Sequence, residues 1–264
     1  ILIKHSQEHW WLSIADTDVV LWAKGLATGF GFDVQVHEPD IWPLAVQGPK
    51  AEELVVRVFG EGISSIGFFK GEWKKYDSTS LYIARSGWSK QGGFEIYVND
   101  FSLGEKLWDE FFEKGRDLNV GAGCPNLIER IESGLLSFGA DATYETTPFE
   151  CGLDQYVSLD EDIESLSINA LRNQKPRTRL AGLVVNEKIN LADRLVMDEK
   201  EVIGEITANT WSPRYSVYLA YARCDVKRIE ALKELNVKST TGLVKAEITD
   251  LPFNFAALGL SSQS

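Results

Sequence analysis

The sequence predicts an α+β fold that ends in a small β-barrel. In the first 175 residues, apolar positions repeat at helical spacing in some segments and at strand spacing in others. From residue 176 onward, short strands separated by turn residues replace that mixture. With 264 residues, 44% of them hydrophobic, the chain can bury the cores of two domains, which we place at residues 1–175 and 176–264.

Helices and strands alternate along the first region without a strict period. Apolar runs predict strands over residues 10–14 and 44–47, and alternating apolar residues predict one over residues 32–36. Apolar residues at helical spacing predict helices over residues 19–26, 51–58, 102–115 and 125–135. Ser102 with Glu105 is the expected capping box of the third helix, and Pro125 is expected at the first position of the fourth.

A hairpin over residues 81–98 carries the clearest functional signal. Its first strand runs into a polar, glycine-rich loop, and a second, alternating strand leaves that loop. On the second strand three apolar residues alternate with Glu95 and Tyr97, so the apolar side chains should enter the core. The acid and the phenol then face the other side, where they and the loop residue Trp88 could meet a ligand.

The second region begins after a linker. Residues 172–177 are polar and contain a proline, which is typical of a connection between domains. Beyond it, short strands bounded by turns predict a small β-barrel or sandwich. The predicted strands lie at residues 180–185, 202–206, 217–222 and 242–248, and one Lys/Glu-rich helix is predicted over residues 227–235.

Composition excludes several classes of partner. The net charge of −12, from 27 basic and 39 acidic residues, argues against nucleic acid, because phosphate binding needs clustered lysine and arginine. No stretch approaches the ~18 consecutive apolar residues that cross a bilayer, so we expect no membrane partner and a cytoplasmic protein. Cys124, Cys151 and Cys224 are few and widely spaced, which fits reduced thiols.

No metal site is expected. His5 and His9 have the i, i+4 spacing that places two ligands on one helical face, but they accompany the predicted strand over residues 10–14. In a strand, four residues of separation would put the two rings far apart. The chain also contains no Walker loop, nucleophile elbow or HExxH helix, so hydrolase and kinase chemistry lose their usual sequence support.

Each candidate site residue of the hairpin has a structural alternative. Trp88 either packs over the turn or presents its face to a cationic ligand through cation–π attraction. Glu95 is either a solvated residue of an edge strand or a carboxylate that accepts two parallel N–H bonds from a guanidine-like heterocycle. Tyr97 shares the role of Glu95, because strand geometry puts both on one face. The residues alone leave these alternatives open.

Five sequence blocks occur in a characteristic order, at residues 43–50, 86–96, 130–136, 147–153 and 204–213. In content and order they resemble the aminomethyltransferase family, typified by the T-protein of the glycine cleavage system, over nearly the whole chain. The resemblance implies a folate-binding, aminomethyltransferase-like fold, with a ferredoxin-like α/β part ahead of the C-terminal barrel.

Two stretches of the sequence are most similar to the dimethylsulfoniopropionate demethylases of that family. They are SGWSKQGGFE at residues 86–95 and GCPNLIER at residues 123–130. T-proteins typically carry tyrosine at the position of Trp88 and arginine at that of Asn126. The resemblance implies transfer of a methyl group from dimethylsulfoniopropionate, a small-molecule sulfonium, to N5 of tetrahydrofolate, which leaves methylmercaptopropionate and 5-methyltetrahydrofolate.

The resemblance also implies roles for single residues. It assigns Glu95 and Tyr97 to tetrahydrofolate binding, and it places Trp88, Tyr97 and Phe69 beside the substrate. The family's active-site aspartate lies ahead of the position where Ile1 aligns, so we assign no catalytic residue within this N-terminally incomplete sequence and leave its activity open. A homodimer is compatible with the sequence.

Two other functions are compatible with the family. A glycine cleavage aminomethyltransferase would need a lipoyl-carrier partner and would release ammonia. A folate-binding module without transferase activity would resemble the family's iron–sulfur assembly relatives. Those relatives are marked by a Lys-Gly-Cys-Tyr type motif, which none of the three cysteines here matches.

Overall fold

The structure, a computed structural model, describes residues 1–14, 18–160, 163–190 and 192–262. The chain opens with a hairpin of two strands, β1 (Leu2–Lys4) and β2 (Trp10–Leu12), followed by the helix α1 (Val20–Phe30). Gly31, with φ 68°, ends α1 in the left-handed conformation that glycine adopts without strain. The strand predicted over residues 32–36 is wrong. Phe32 and Val34 are 61% and 57% exposed, so their alternation faces no buried surface.

An antiparallel four-stranded sheet forms the centre of the first region. Its strands are β3 (Trp42–Gln47), β4 (Gly71–Tyr76), β5 (Thr79–Ala84) and β6 (Gly93–Val98), in the order β3-β6-β5-β4. Two helices, α2 (Ala51–Phe59) and α3 (Gly104–Lys114), supply apolar side chains to the same core as the sheet. The apolar residues of β6 are almost fully buried there, as predicted for the hairpin.

Two helix starts differ from the sequence predictions. A 3₁₀ turn precedes α3, and its cap is Asp100, whose carboxylate accepts from Ser102 N–H at 2.9 Å, so the capping box of Ser102 and Glu105 is wrong. The fourth helix, α4 (Leu127–Glu132), is capped by Asn126, whose side chain accepts from Glu129 N–H at 2.9 Å. Pro125 therefore lies ahead of the cap.

The second region is a closed six-stranded barrel. After the short helix α5 (Ile168–Arg172), its strands are β7 (Thr178–Val185), β8 (Leu195–Asp198), β9 (Glu201–Ser212), β10 (Val217–Asp225), β11 (Glu234–Lys238) and β12 (Leu243–Thr249). Neighbours are antiparallel in the order β10-β7-β12-β11-β8-β9. The helix predicted over residues 227–235 is wrong beyond its first turn, α6 (Val226–Ile229). Leu235 and Val237 point into the barrel as alternate residues of β11.

The α+β fold class with a C-terminal barrel is confirmed, and a buried polar network joins the two regions. Asp141, fully buried, pairs with the Arg130 guanidinium and accepts from Thr207 Oγ1 on β9 at 2.6 Å. Tyr221 on β10 donates to the Arg130 carbonyl at 3.1 Å. Each buried charge thus has a partner, which such groups require. Within the described ranges, no helix has the length and apolar character needed to span a membrane.

Candidate functional site

Glu95 and Tyr97 lie on the sheet face that points away from the core, as their alternation predicts. β6 is an interior strand, so the edge-strand alternative for Glu95 does not hold. Opposite Glu95 stand Ala84 on β5 and Ala45 on β3. Because these two neighbours carry only methyl groups, they leave room beside the carboxylate.

The Glu95 carboxylate is held on one side. It is partly buried, and the Ser86 hydroxyl donates to its Oε2 atom. Oε1 accepts no hydrogen bond from the part of the chain that the structure describes. An ionised carboxylate has about four acceptor positions, so it can still accept N–H groups from a ligand.

Tyr97 is covered more fully than the sequence suggested. Only 5% exposed, its ring lies 5.7 Å from that of Trp11 on β2 and 6.0 Å from that of Tyr82 on β5. Burial, and then the charge of Glu95, raise the pKa of the Tyr97 phenol. The phenol is therefore a neutral group beneath the N-terminal hairpin, and it adjoins the Glu95 carboxylate along the strand.

Residues 85–92 connect β5 to β6 and are called the Trp88 loop. Trp88 itself is 42% exposed, whereas Ser86 and Ser89 on either side are buried. The far end of the loop is attached to α4, since Lys90 Nζ donates to the Ser133 carbonyl at 2.9 Å and the Gln91 amide donates to Glu129. The indole is thus presented on a loop whose neighbouring residues are fixed.

A cavity of about 360 Å³ lies beside the Trp88 loop, between α4 and the turn that joins β9 to β10. It is lined by Ser89, Lys90 and Gln91 from the loop, by the α4 side, and by Pro213 and Arg214 from the barrel. Glu95 is not among its lining residues. The cavity therefore opens on the loop and the barrel rather than on the sheet face.

Phe69 lies in the turn that precedes β4. It is 60% exposed, and its backbone has the left-handed φ of 56°, which is uncommon for a bulky residue. The ring contact that the structure gives it is an edge-to-face one with Phe68, at 4.8 Å between centroids. Its N–H donates to the Arg85 carbonyl at 3.0 Å, which ties the turn to the base of the Trp88 loop.

Sequence reasoning missed an aromatic cluster beneath the N-terminal hairpin. The rings of Trp11, Trp73 and Tyr82 surround His5 at centroid distances of 4.1 to 5.5 Å. His5 and His9 flank the hairpin turn with ring centroids 5.0 Å apart, so the expectation that they are far apart is wrong. Burial, and then the charge of His9, lower the pKa of His5. Across the described residues, no three His, Cys, Asp or Glu side chains form a metal-binding group.

The chain belongs to the glycine cleavage T-protein family of aminomethyltransferases. Residues 1–161 match the GCVT N-terminal domain, and residues 178–254 match the glycine cleavage T-protein C-terminal barrel domain. The fold agrees with that membership. The crystal structure of the glycine cleavage system aminomethyltransferase T from Bartonella henselae superimposes with a TM-score of 0.69 at 22% identity, over 87% of this chain and 64% of that one.

Among individual relatives, the chain is 44% identical over 229 residues to the dimethylsulfoniopropionate demethylase DmdA of Ruegeria pomeroyi, covering 85% of this chain and 63% of that protein. It is 31% identical to an aminomethyltransferase of Bacillus cereus over 225 residues, or 81% of this chain and 60% of that one. For an aminomethyltransferase of Acidobacterium capsulatum the identity is 27% over 244 residues, covering 88% and 64%. The chain thus spans less than two thirds of the length of these relatives.

Proposed function

We propose that this chain belongs to a tetrahydrofolate-dependent methyltransferase that demethylates dimethylsulfoniopropionate to methylmercaptopropionate, with formation of 5-methyltetrahydrofolate. The observation that carries the proposal is the 44% identity to the Ruegeria pomeroyi demethylase, against 27% and 31% to two aminomethyltransferases. The amino-acid sequence of the Trp88 loop also favours the demethylase, because it has tryptophan at position 88 where T-proteins typically have tyrosine.

Glu95 is the residue that we assign to the pterin. A reduced pterin has a guanidine-like edge with neighbouring N–H donors, and a carboxylate can accept two such bonds in parallel. The carboxylate of Glu95 has the room and the unused acceptor positions for this role, because alanines flank it and the Ser86 hydroxyl holds one oxygen. When bound, tetrahydrofolate supplies the N5 nitrogen that accepts the methyl group.

Trp88 is the residue that we assign to the sulfonium. A half-exposed indole beside Glu95's strand can attract an onium cation with its π face. The leaving thioether is neutral and departs without protonation, so the reaction needs no strong general acid. The main contribution of the protein is then to hold sulfonium, methyl and nitrogen in line, an effect that can be worth several kcal/mol.

Glycine cleavage aminomethyl transfer is the second candidate, because the family relatives at 27% and 31% identity carry that name. The two functions differ in donor and product. We would incubate the full-length protein and tetrahydrofolate with dimethylsulfoniopropionate, or with an aminomethylated lipoyl carrier, and identify the folates by mass spectrometry. A 5-methyl product from the sulfonium supports the proposal. A methylene product from the carrier alone would reassign the protein, and folate binding with neither product would indicate a non-catalytic module.

Glu95→Gln tests the assignment of the carboxylate. The change keeps the shape of the side chain but removes the charge and one acceptor, so we expect tetrahydrofolate binding to weaken by about 1.5–3 kcal/mol. Isothermal calorimetry measures this loss directly. The matched control is Glu230→Gln, at an exposed glutamate after α6, and it should leave the Kd unchanged. Equal affinities for the wild type and Glu95→Gln would contradict the assignment.

A further inference from the structure

Gln47, the last residue of β3, occupies the inside of the Trp88 loop. Its amide nitrogen donates to the Ser86 carbonyl at 3.0 Å and to the Phe94 carbonyl at 3.2 Å. Its amide oxygen accepts from the Ser89 hydroxyl at 2.8 Å. One side chain thereby holds the second residue of the Trp88 loop, the residue after Trp88, and the start of β6.

Two glycines make this insertion sterically feasible. A β-carbon added at Gly87 would lie 2.2 Å from the amide atoms of Gln47, and one added at Gly93 would lie 2.3 Å from the Val46 carbonyl oxygen. Both glycines also have positive φ, at 156° and 146°. A side chain at either position would displace the loop or the Gln47 amide, so the placement of Gln47 depends on both glycines.

The same contacts reach both proposed binding residues. Ser86, whose carbonyl is held by Gln47, donates its hydroxyl to Glu95. Ser89, held through its own hydroxyl, is the immediate neighbour of Trp88. An amide is suited to this position because it donates two hydrogen bonds and accepts one at the same time.

We propose that Gln47 is a positioning residue for the proposed methyl transfer. It sets the distance between Trp88, which faces the sulfonium, and Glu95, which holds the pterin. The inference rests on the proposed function for the identity of the ligands, but the placement of the loop by Gln47 can be measured without any turnover. The amide of Gln47 is occupied by hydrogen bonds to the loop and to β6, so the role assigned to it is indirect.

The first arm of the test measures the loop alone. The full-length protein is labelled with 5-fluorotryptophan, and the ¹⁹F resonance of Trp88 is assigned by its loss in Trp88→Phe. In Gln47→Glu a carboxylate faces two carbonyl oxygens, so we expect the Trp88 resonance to shift or broaden while the resonances of distant tryptophans stay in place. Gln47→Met, which is similar in length and uncharged, should have a smaller effect in the same direction.

The second arm measures kinetics. Gln47→Glu should raise the KM for dimethylsulfoniopropionate about tenfold in the wild-type background, and less than about twofold in a Trp88→Ala background, because it acts through that indole. Gln155→Glu adds the same charge at an exposed position and should change neither readout. Circular dichroism confirms that each variant is folded, and if Gln47→Glu does not fold, Gln47→Met takes its place.

The outcomes separate the inference from the function on which it rests. An unchanged Trp88 resonance in folded Gln47→Glu or Gln47→Met overturns the inference, whatever the enzyme does. Equal KM effects in the wild-type and Trp88→Ala backgrounds also overturn it, since a general loss of structure would act on both alike. Absence of methyl transfer by the wild-type protein refutes the proposed function, and the fluorine arm then decides the loop placement by itself.

Discussion

At the scale of the residue, substitution of Trp88 can distinguish an effect on substrate binding from an effect on the transition state. In the proposed methyl transfer, the positive charge fades from sulfur as the methyl group leaves, so an indole face would stabilise the bound sulfonium at least as much as the transition state. We therefore expect Trp88→Ala to raise the KM for dimethylsulfoniopropionate by a factor equivalent to about 0.5–2 kcal/mol of binding free energy, with little change in kcat. Steady-state kinetics with Trp88→Phe as the milder variant measures this. A large fall in kcat at constant KM would contradict the assignment.

At the candidate site, the sequence predicted which face of the strand each residue occupies but not the contacts between strands. Period-two alternation is a property of one strand, and it placed Glu95 and Tyr97 on one face correctly. The hydroxyl of Ser86 on Glu95 and the amide of Gln47 in the loop depend on which strands pair and in what register. Such contacts are tertiary, so no local pattern predicted them. The ligand roles of these residues stay predictions.

At the scale of the element, α4 depends on its cap. The helix has six residues, too few to be stable without its flanking contacts, and Asn126 satisfies one of its free N–H groups. We expect Asn126→Ala to cost about 1 kcal/mol of unfolding free energy, and Asn126→Ser to retain most of the cap. Urea unfolding measures both variants. Equal losses for alanine and serine would show that capping is not the role of this side chain.

Elements with a buried face were predicted better than elements defined by alternation alone. The strands β5 and β6 and the helix α2 each bury an apolar side in the core of the first region, and all three were expected. Residues 32–36 alternate equally well, yet their side chains are largely exposed. The segment around Leu235 carries charges at helical spacing, but pairing with β12 and β8 places it in the barrel as β11. In both segments tertiary context outweighs local pattern.

At the scale of the whole molecule, three of the five sequence blocks that resemble the family contribute side chains to the junction between the two regions. The block at residues 130–136 supplies the buried Arg130, and the block at residues 204–213 supplies Thr207, which donates to the same Asp141 carboxylate. Because these blocks contribute to the junction, the resemblance indicated the fold, which the structure confirms, whereas the substrate stays a proposal.

The third junction block, residues 147–153, makes stability depend on pH through Glu150. This carboxylate is 4% exposed and accepts from the N–H groups of Thr147, Arg177 and Thr178 at 3.0 to 3.1 Å. Burial alone would raise the pKa of Glu150, but the N–H donors outweigh it and lower the pKa to about 2, from an ordinary value of 4.5. The carboxylate therefore fastens the residues before the barrel to the first residue of β7.

Since the pKa of Glu150 is lower in the folded protein than in the unfolded chain, its contribution is complete above pH 4.5 and is lost as the pH falls towards 2. We expect Glu150→Gln to lower the unfolding free energy by about 2 kcal/mol at pH 7, because an amide nitrogen then faces N–H donors. Urea unfolding at pH 7, 4 and 3 should show the gap between wild type and variant narrowing as the acid titrates. Glu230 is exposed, so Glu230→Gln should have the same unfolding free energy as the wild type at each pH. A constant gap for Glu150→Gln would mean that packing, rather than charge, holds the junction.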